Sequence, residues 1–161
     1  MIPLQTDHLL ALQQATADGD LHRLWYTTVP DAAGMMAEIE RRLRLQAQGT
    51  MVPFSIVDKA GGQVVGMTTY MNIDQANRRL EIGSTWYRQA VQRSALNTEC
   101  KLLLLRHAFE SLDCLVVELR THFMNQASRR AIERLGAKLD GVLRAHMIMP
   151  NGSIRDTAVY S

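Results

Sequence analysis

The sequence predicts an α/β (α+β) domain: a mixed, mostly antiparallel twisted sheet with helices on both faces and one parallel βαβ crossover. Three observations predict it. The apolar period is helical as far as Gly49 and then changes to the β-branched runs 52–58, 63–72 and 79–87. A helical run over 97–112 leads straight into an apolar strand over 114–121, so strands 79–87 and 114–121 are expected to be parallel and right-handedly connected. No linker, repeat or low-complexity tract interrupts the 161 residues, a length that suits one domain, 1–161.

Taken in order, Thr6 or Asp7 can cap a helix through Leu9, Leu10, Leu12, Ala15 and Ala17 that Gly19 stops. A short second turn carries Leu21, Leu24 and Trp25. Pro30 and Asp31 open a longer helix with Met35, Met36, Ile39, Leu43 and Ala47 on one stripe. Its other face spaces Glu38 from Arg42 and Glu40 from Arg44 by four residues, the pattern of a solvated, self-paired surface. Lys59-Ala60-Gly61-Gly62 turns the first hairpin, and 74–77 the second. The stretch 88–96 lacks core residues and reads as a loop. Asn97 can cap the next helix, with Cys100, Leu103, Leu104 and Ala108 inward and Glu99 in its first turn. A short helix over 125–135 ends at Gly136, and the chain closes as a hairpin, 139–149 and 154–161.

Composition narrows the class. Hydrophobic residues make up 47% and charged residues 21%, and 18 basic residues against 16 acidic ones leave a net charge of +2. That balance does not mark a nucleic-acid binder. Cys100 and Cys114 are too few and too far apart for a zinc knuckle or a redox pair, and the five histidines are scattered, so no metal is expected. Neither a membrane-length apolar run nor a signal-peptide pattern is present, which leads us to expect a cytoplasmic protein without a membrane partner.

The junction from strand 79–87 through loop 88–96 into a helix is where an anion could bind. Free backbone N–H groups and a partial positive charge collect at a helix N-terminus. Ser94, Asn97 and Thr98 add donors, and Arg88 and Arg93 add charge.

The run from Phe54 to Ser161 resembles the GCN5-related N-acetyltransferase (GNAT) superfamily, and within it the RimJ/RimL-like branch. The pieces that carry the resemblance are Val64–Tyr70, Leu80–Tyr87, Asn97–Leu104, Val117–Thr121, Asn125–Ala137, Asp140-Gly141 and Arg155–Tyr160, in that order. It implies acetyl-CoA as co-substrate and an amine acceptor, either a protein N-terminus or a small molecule. It implies that the loop Gln92-Arg93-Ser94-Ala95-Leu96-Asn97, together with Thr98, wraps the pyrophosphate. Ala95 and Asn97 stand where that family carries glycine, and Ala95 loses easy access to positive φ.

The resemblance further implies that pantetheine lies along backbone groups near Trp86 and Tyr87 and is held by Asn125, with Ser128 protonating the leaving thiolate. Asn125 is equally a good helix cap. Deprotonation of the amine needs a base. Glu81 is the first candidate, its alternative being a cross-strand partner for Arg78 or Arg79; His122, His146 and Tyr160 are others. The methionines read first as core filling, with Met67, Met71 and Met147 as alternative candidates for the acceptor pocket, and Trp25 and Tyr26 are candidates for its lid. The family opens with a strand, for which only Met1–Leu4 remain here, so that strand is either very short or cut off. A catalytically inactive acyl-CoA-binding module, or an interaction domain that dimerises through the last hairpin, is the competing reading.

Overall fold

The computed structural model describes residues 1–161. In chain order the elements are β1 (Ile2–Pro3), α1 (Leu9–Ala17), α2 (Met35–Ala47), β2 (Met51–Asp58), β3 (Gln63–Asp74), β4 (Arg79–Tyr87), α3 (Leu96–Arg106), β5 (Val116–His122), α4 (Gln126–Glu133), β6 (Leu139–Ile148) and β7 (Ile154–Tyr160). Single 3-10 turns occupy Thr6–His8, Leu21–Arg23 and Gln89–Val91, and α3 runs on into a π turn at His107–Ser111. One seven-stranded sheet has the order β1-β2-β3-β4-β5-β7-β6, antiparallel throughout except for the parallel pair β4–β5. The opening strand is two residues long and pairs with Phe54 and Ser55. No helix is long and apolar enough to cross a membrane.

Strand alternation sends side chains to two faces, each with its own core. On one face Tyr70, Leu80, Ile82, Val117, Leu119, Ala158 and Tyr160 pack under Leu104 of α3, Ala108 of the π turn that follows it and Ile132 of α4. On the other, Met67 and Trp86 pack under Leu12 and Ala15 of α1 and Met35 and Ile39 of α2. Each Leu, Ile, Val or Met among them contributes about 1.5–3 kcal/mol on burial. Met67 is therefore a core residue and does not line the acceptor pocket. Leu103 is exposed on α3, contrary to its expected inward position.

The α2 face expected to be solvated is partly buried. Arg42 is 2% exposed. Its Nε donates to Glu38 Oε1 at 2.7 Å, Nη1 to Thr69 Oγ1 at 2.6 Å and Nη2 to the Ser84 carbonyl at 3.2 Å. The four-residue spacing does bring Glu38 to Arg42, but α2 lies on the sheet and takes the pair inward.

Strand β4 is irregular in two ways. A bulge lies between the pairs Met67–Trp86 and Thr69–Gly83, with Ser84 at φ 48°. The parallel pairing with β5 is limited to Arg79–Val116, Leu80–Val117 and Glu81–Glu118. Beyond that point β5 pairs with β7, from Leu119–Tyr160 to His122–Thr157. The sheet thus opens at Glu81, in mid-strand.

Candidate active site

The opening is a cleft of about 1140 Å³. Ile82–Tyr87 of β4 and Leu119–His122 of β5 line it, together with residues of α4, the start of α3 and the 21–29 segment. Parallel strands that part leave backbone groups without a partner strand, which makes the place where they part a natural ligand site.

At the α3 end, backbone donors gather. The N–H groups of Arg93, Ser94, Ala95, Asn97 and Thr98 make no hydrogen bond within the protein, while Leu96 donates to Ser94 Oγ at 3.3 Å. The helix starts at Leu96 with Ala95 as its cap, so Asn97 sits inside the first turn and does not cap it. The left-handed residue is Arg93, at φ 61°, whereas Ala95 has φ −67°. The loop therefore places its positive φ two residues before the alanine, and a methyl at position 95 costs no backbone strain. Arg93, Ser94 and Asn97 line the cleft, Ala95 and Thr98 are exposed, and Leu96 packs near Ile56, Val65 and Cys100.

Side chains brace this loop. Gln92 Nε2 donates to the Tyr87 carbonyl at 3.0 Å, and Ser94 Oγ to the Val91 carbonyl at 2.7 Å. Asp18, just past α1, accepts from Arg88 Nε at 2.8 Å and from the Ala90 N–H at 3.1 Å. These bonds hold its carboxyl below the usual range, and they commit Arg88 to Asp18, so Arg88 is not a free anion ligand. Gly19, at φ +91°, lets Gln89 approach so closely that a Cβ there would collide with it.

Trp86 and Tyr87 meet the cleft along β4, but the Trp86 indole belongs to the core under α1 and α2, and burial beside Cys100 raises the Tyr87 phenol. Under the bulge lies Lys101, a residue without an assigned role in the sequence. It is 6% exposed and borders the cleft, with Nζ donating to Thr85 Oγ1 at 2.8 Å. Burial lowers its pKa to about 7. Its spacing from Asn97 and Leu104, at four and three residues, was the available signal that it faces inward. Because the unfolded chain holds this proton up to about pH 10.5 and the folded one releases it near 7, stability gains with pH across that window. Lys101→Met is expected to remove that gain, which melting curves between pH 7 and 10 will show.

Glu81 stands where the strands part. It is 6% exposed and accepts from Asn72 Nδ2 at 2.8 Å; Arg120 Nε is 3.6 Å away. Burial raises its pKa, and Asn72, Arg120, Arg155 and His146 act against that rise. Neither Arg78 nor Arg79 pairs with it. Arg78 goes to Asp113 at 2.5 Å, and Arg79 to Glu118, which also takes Arg120. On the far wall Asn125 caps α4, its Oδ1 accepting from the Ser128 N–H at 3.0 Å, which leaves its amide nitrogen uncommitted. The Ser128 hydroxyl makes no protein hydrogen bond and lines the cleft.

Among the other candidates, His122 is 4% exposed, accepts from the Met124 N–H at Nδ1, and leaves Nε2 unpartnered. Its ring meets Trp25 edge-on at 5.1 Å and Tyr26 at 6.4 Å, so the expected lid residues do reach this strand end. His146, Met71 and Met147 also line the cleft. Tyr160 does not: it is fully buried, bonded to Arg129 and Glu133 in the core under α4. No cluster of three His, Cys, Asp or Glu side chains is placed to hold a metal ion.

Residues 1–138 match the family described as "Acetyltransferase (GNAT) domain". The chain belongs to this family. YdaF of Bacillus subtilis (strain 168), whose name proposes a ribosomal N-acetyltransferase, is 32% identical over 100 residues, covering 62% of this GNAT chain and 54% of YdaF. The chain thus matches about half the length of that curated relative. A crystal structure of a GCN5-related N-acetyltransferase from Brucella melitensis superposes with a TM-score of 0.87 at 31% identity, over 98% of this chain and 72% of that one. RimL, a ribosomal L7/L12 α-N-protein acetyltransferase solved with coenzyme A, shares the GNAT fold at 18% identity and TM-score 0.80, over 99% and 90% of the two chains.

Proposed function

We propose that this GNAT domain transfers the acetyl group of acetyl-CoA to a primary amine, a peptide N-terminus or a small-molecule amine, as a cytoplasmic enzyme. The observation that carries this reading is the opening of the β4–β5 pair, with a buried carboxylate where the strands part and the uncommitted N–H groups of Arg93, Ser94, Ala95, Asn97 and Thr98 beyond β4. Those donors, at a helix N-terminus, suit a diphosphate. The names of YdaF and of the CoA-bound RimL point the same way.

Bound there, acetyl-CoA would supply an activated acetyl thioester. Arg93, Ser94, Ala95, Asn97 and Thr98 would hold its diphosphate through backbone N–H groups, with Gln92 bracing the loop. The edge of β4 at Trp86 and Tyr87 and the free amide nitrogen of Asn125 would hold the pantetheine arm. Glu81 accepts the proton of the attacking amine, its raised pKa making it a better base than an ordinary carboxylate. Ser128 Oγ, on the opposite wall, would give its proton to the leaving thiolate.

Acetyl-CoA at about a hundred times its dissociation constant should stabilise the domain by about 2.7 kcal/mol. That corresponds to a melting-temperature rise of roughly 5–10 °C at this chain length. Free thiol released in the presence of an amine panel completes the test. A thermal shift without thiol release across the panel identifies a binding module instead, and no shift at millimolar acetyl-CoA removes the cofactor site.

A further inference from the structure

We propose that the acceptor is an amine bearing a carboxylate, and that Arg155 is the residue that recognises that carboxylate. The inference rests on the transferase reading and specifies its second substrate.

The last hairpin is irregular. Met147 pairs with Arg155 and Leu143 with Thr157, so Arg144, Ala145 and His146 stand opposite Asp156 alone. Ala145 takes φ 49°, and its N–H donates to Asp156 Oδ1 at 2.7 Å. A bulge pinned by a carboxylate re-aims the neighbouring side chains. His146 lines the cleft with Nδ1 3.0 Å from Thr157 Oγ1, and the same oxygen accepts from Arg155 Nε at 2.9 Å. Thr157 is fully buried, so one fixed hydroxyl positions both side chains.

Every carboxylate nearby is already engaged. Glu118 holds Arg79 and Arg120, Asp156 holds the bulge, and Glu81 takes the Asn72 amide and faces Arg120. Arg155 has no ion-pair partner within 4.0 Å, and neither of its Nη atoms donates to the protein. A half-buried guanidinium left this way is costly unless something anionic completes it. Its planar fork matches a carboxylate, which can accept from two of its N–H groups at once. Arg155 is close enough to Glu81 for their charges to act on one another. The cleft thus sets a proton acceptor for an amine beside a cation for an acid group, which is the complement of a zwitterion.

Two sources share that chemistry: a peptide with an acidic first residue, and a free amino acid. Two matched pairs separate them, Asp-Ala-amide against Asn-Ala-amide and alanine against alaninamide. Binding to the CoA-loaded protein is read by calorimetry and kcat/KM by thiol release, for wild type, Arg155→Gln and Arg155→Lys. The expected result is a preference of tenfold or more for the anionic member of one pair, which names the source. Arg155→Gln should bring that ratio within twofold while leaving acetyl-CoA affinity unchanged, and Arg155→Lys should restore part of it. A wild type indifferent to charge in both pairs overturns the proposal. So does a preference that survives Arg155→Gln, or an equal loss for charged and neutral members. Arg155-dependent binding of the anion without thiol release from any amine leaves this site standing and contradicts the transferase reading instead.

Discussion

Replacing Glu81 with glutamine should lower acetyl transfer by about 10²–10⁴-fold, the usual contribution of a general base, while the thermal shift on adding acetyl-CoA stays at its wild-type size. The two readouts separate because Glu81 lies where β4 and β5 part, and the free N–H groups lie beyond the far end of β4. The pH profile adds a signature. Burial raises the Glu81 pKa, so wild-type activity should climb with pH through a value above the ordinary carboxylate range, and Glu81→Gln should lose that limb. Stability gives the opposite sign. A carboxyl that holds its proton more tightly folded than unfolded loses stability as pH rises between its two pKa values. Above that window Glu81→Gln should therefore melt no lower than wild type, provided the contact with Asn72 persists. A variant that keeps wild-type turnover, or one that loses turnover only because it unfolds, removes Glu81 from the mechanism.

Arg42→Ala should be among the most damaging single changes to the fold. It deletes three hydrogen bonds from a side chain that is 2% exposed and leaves Thr69 Oγ1 and the Ser84 carbonyl without their donor. Breaking a buried pair from one side costs about 3–5 kcal/mol. For a domain of this size that is a melting-temperature fall of roughly 6–20 °C. Arg41→Ala is the control. Arg41 bonds the same carboxylate, with Nε 2.7 Å from Glu38 Oε2, but its side chain is 44% exposed. Pairs at such exposure contribute at most about 1 kcal/mol. Equal effects of the two substitutions would show that α2 does not bury its pair against the β4 bulge.

Much of the architecture was legible because it is local. The change of period after Gly49, the glycines after helices α1, α2 and α4, and the strand–helix–strand run around α3 report chemistry among neighbours in the chain. Such signals survive without knowledge of what lies opposite. The anion-binding junction was legible from helix-terminus chemistry, and the rest of the candidate site only where resemblance supplied it. Glu81, Ser128, Asn125 and the 92–98 loop do gather around one cleft. Within that loop, though, Leu96 packs toward the core, and the positive φ belongs to Arg93.

What the chain by itself determined is the order of its elements, the parallel crossover and the place of the helix ends, since period and turn chemistry encode these within a few residues. Only the tertiary structure decided which charges are buried. Glu38 and Arg42 have the spacing of any exposed helical pair, and Arg155 looks like an ordinary surface cation in sequence. Their protonation and reach depend on the strand, bulge or helix that packs across them. The cost of taking a charge out of water is fixed by surroundings that lie tens of residues away along the chain.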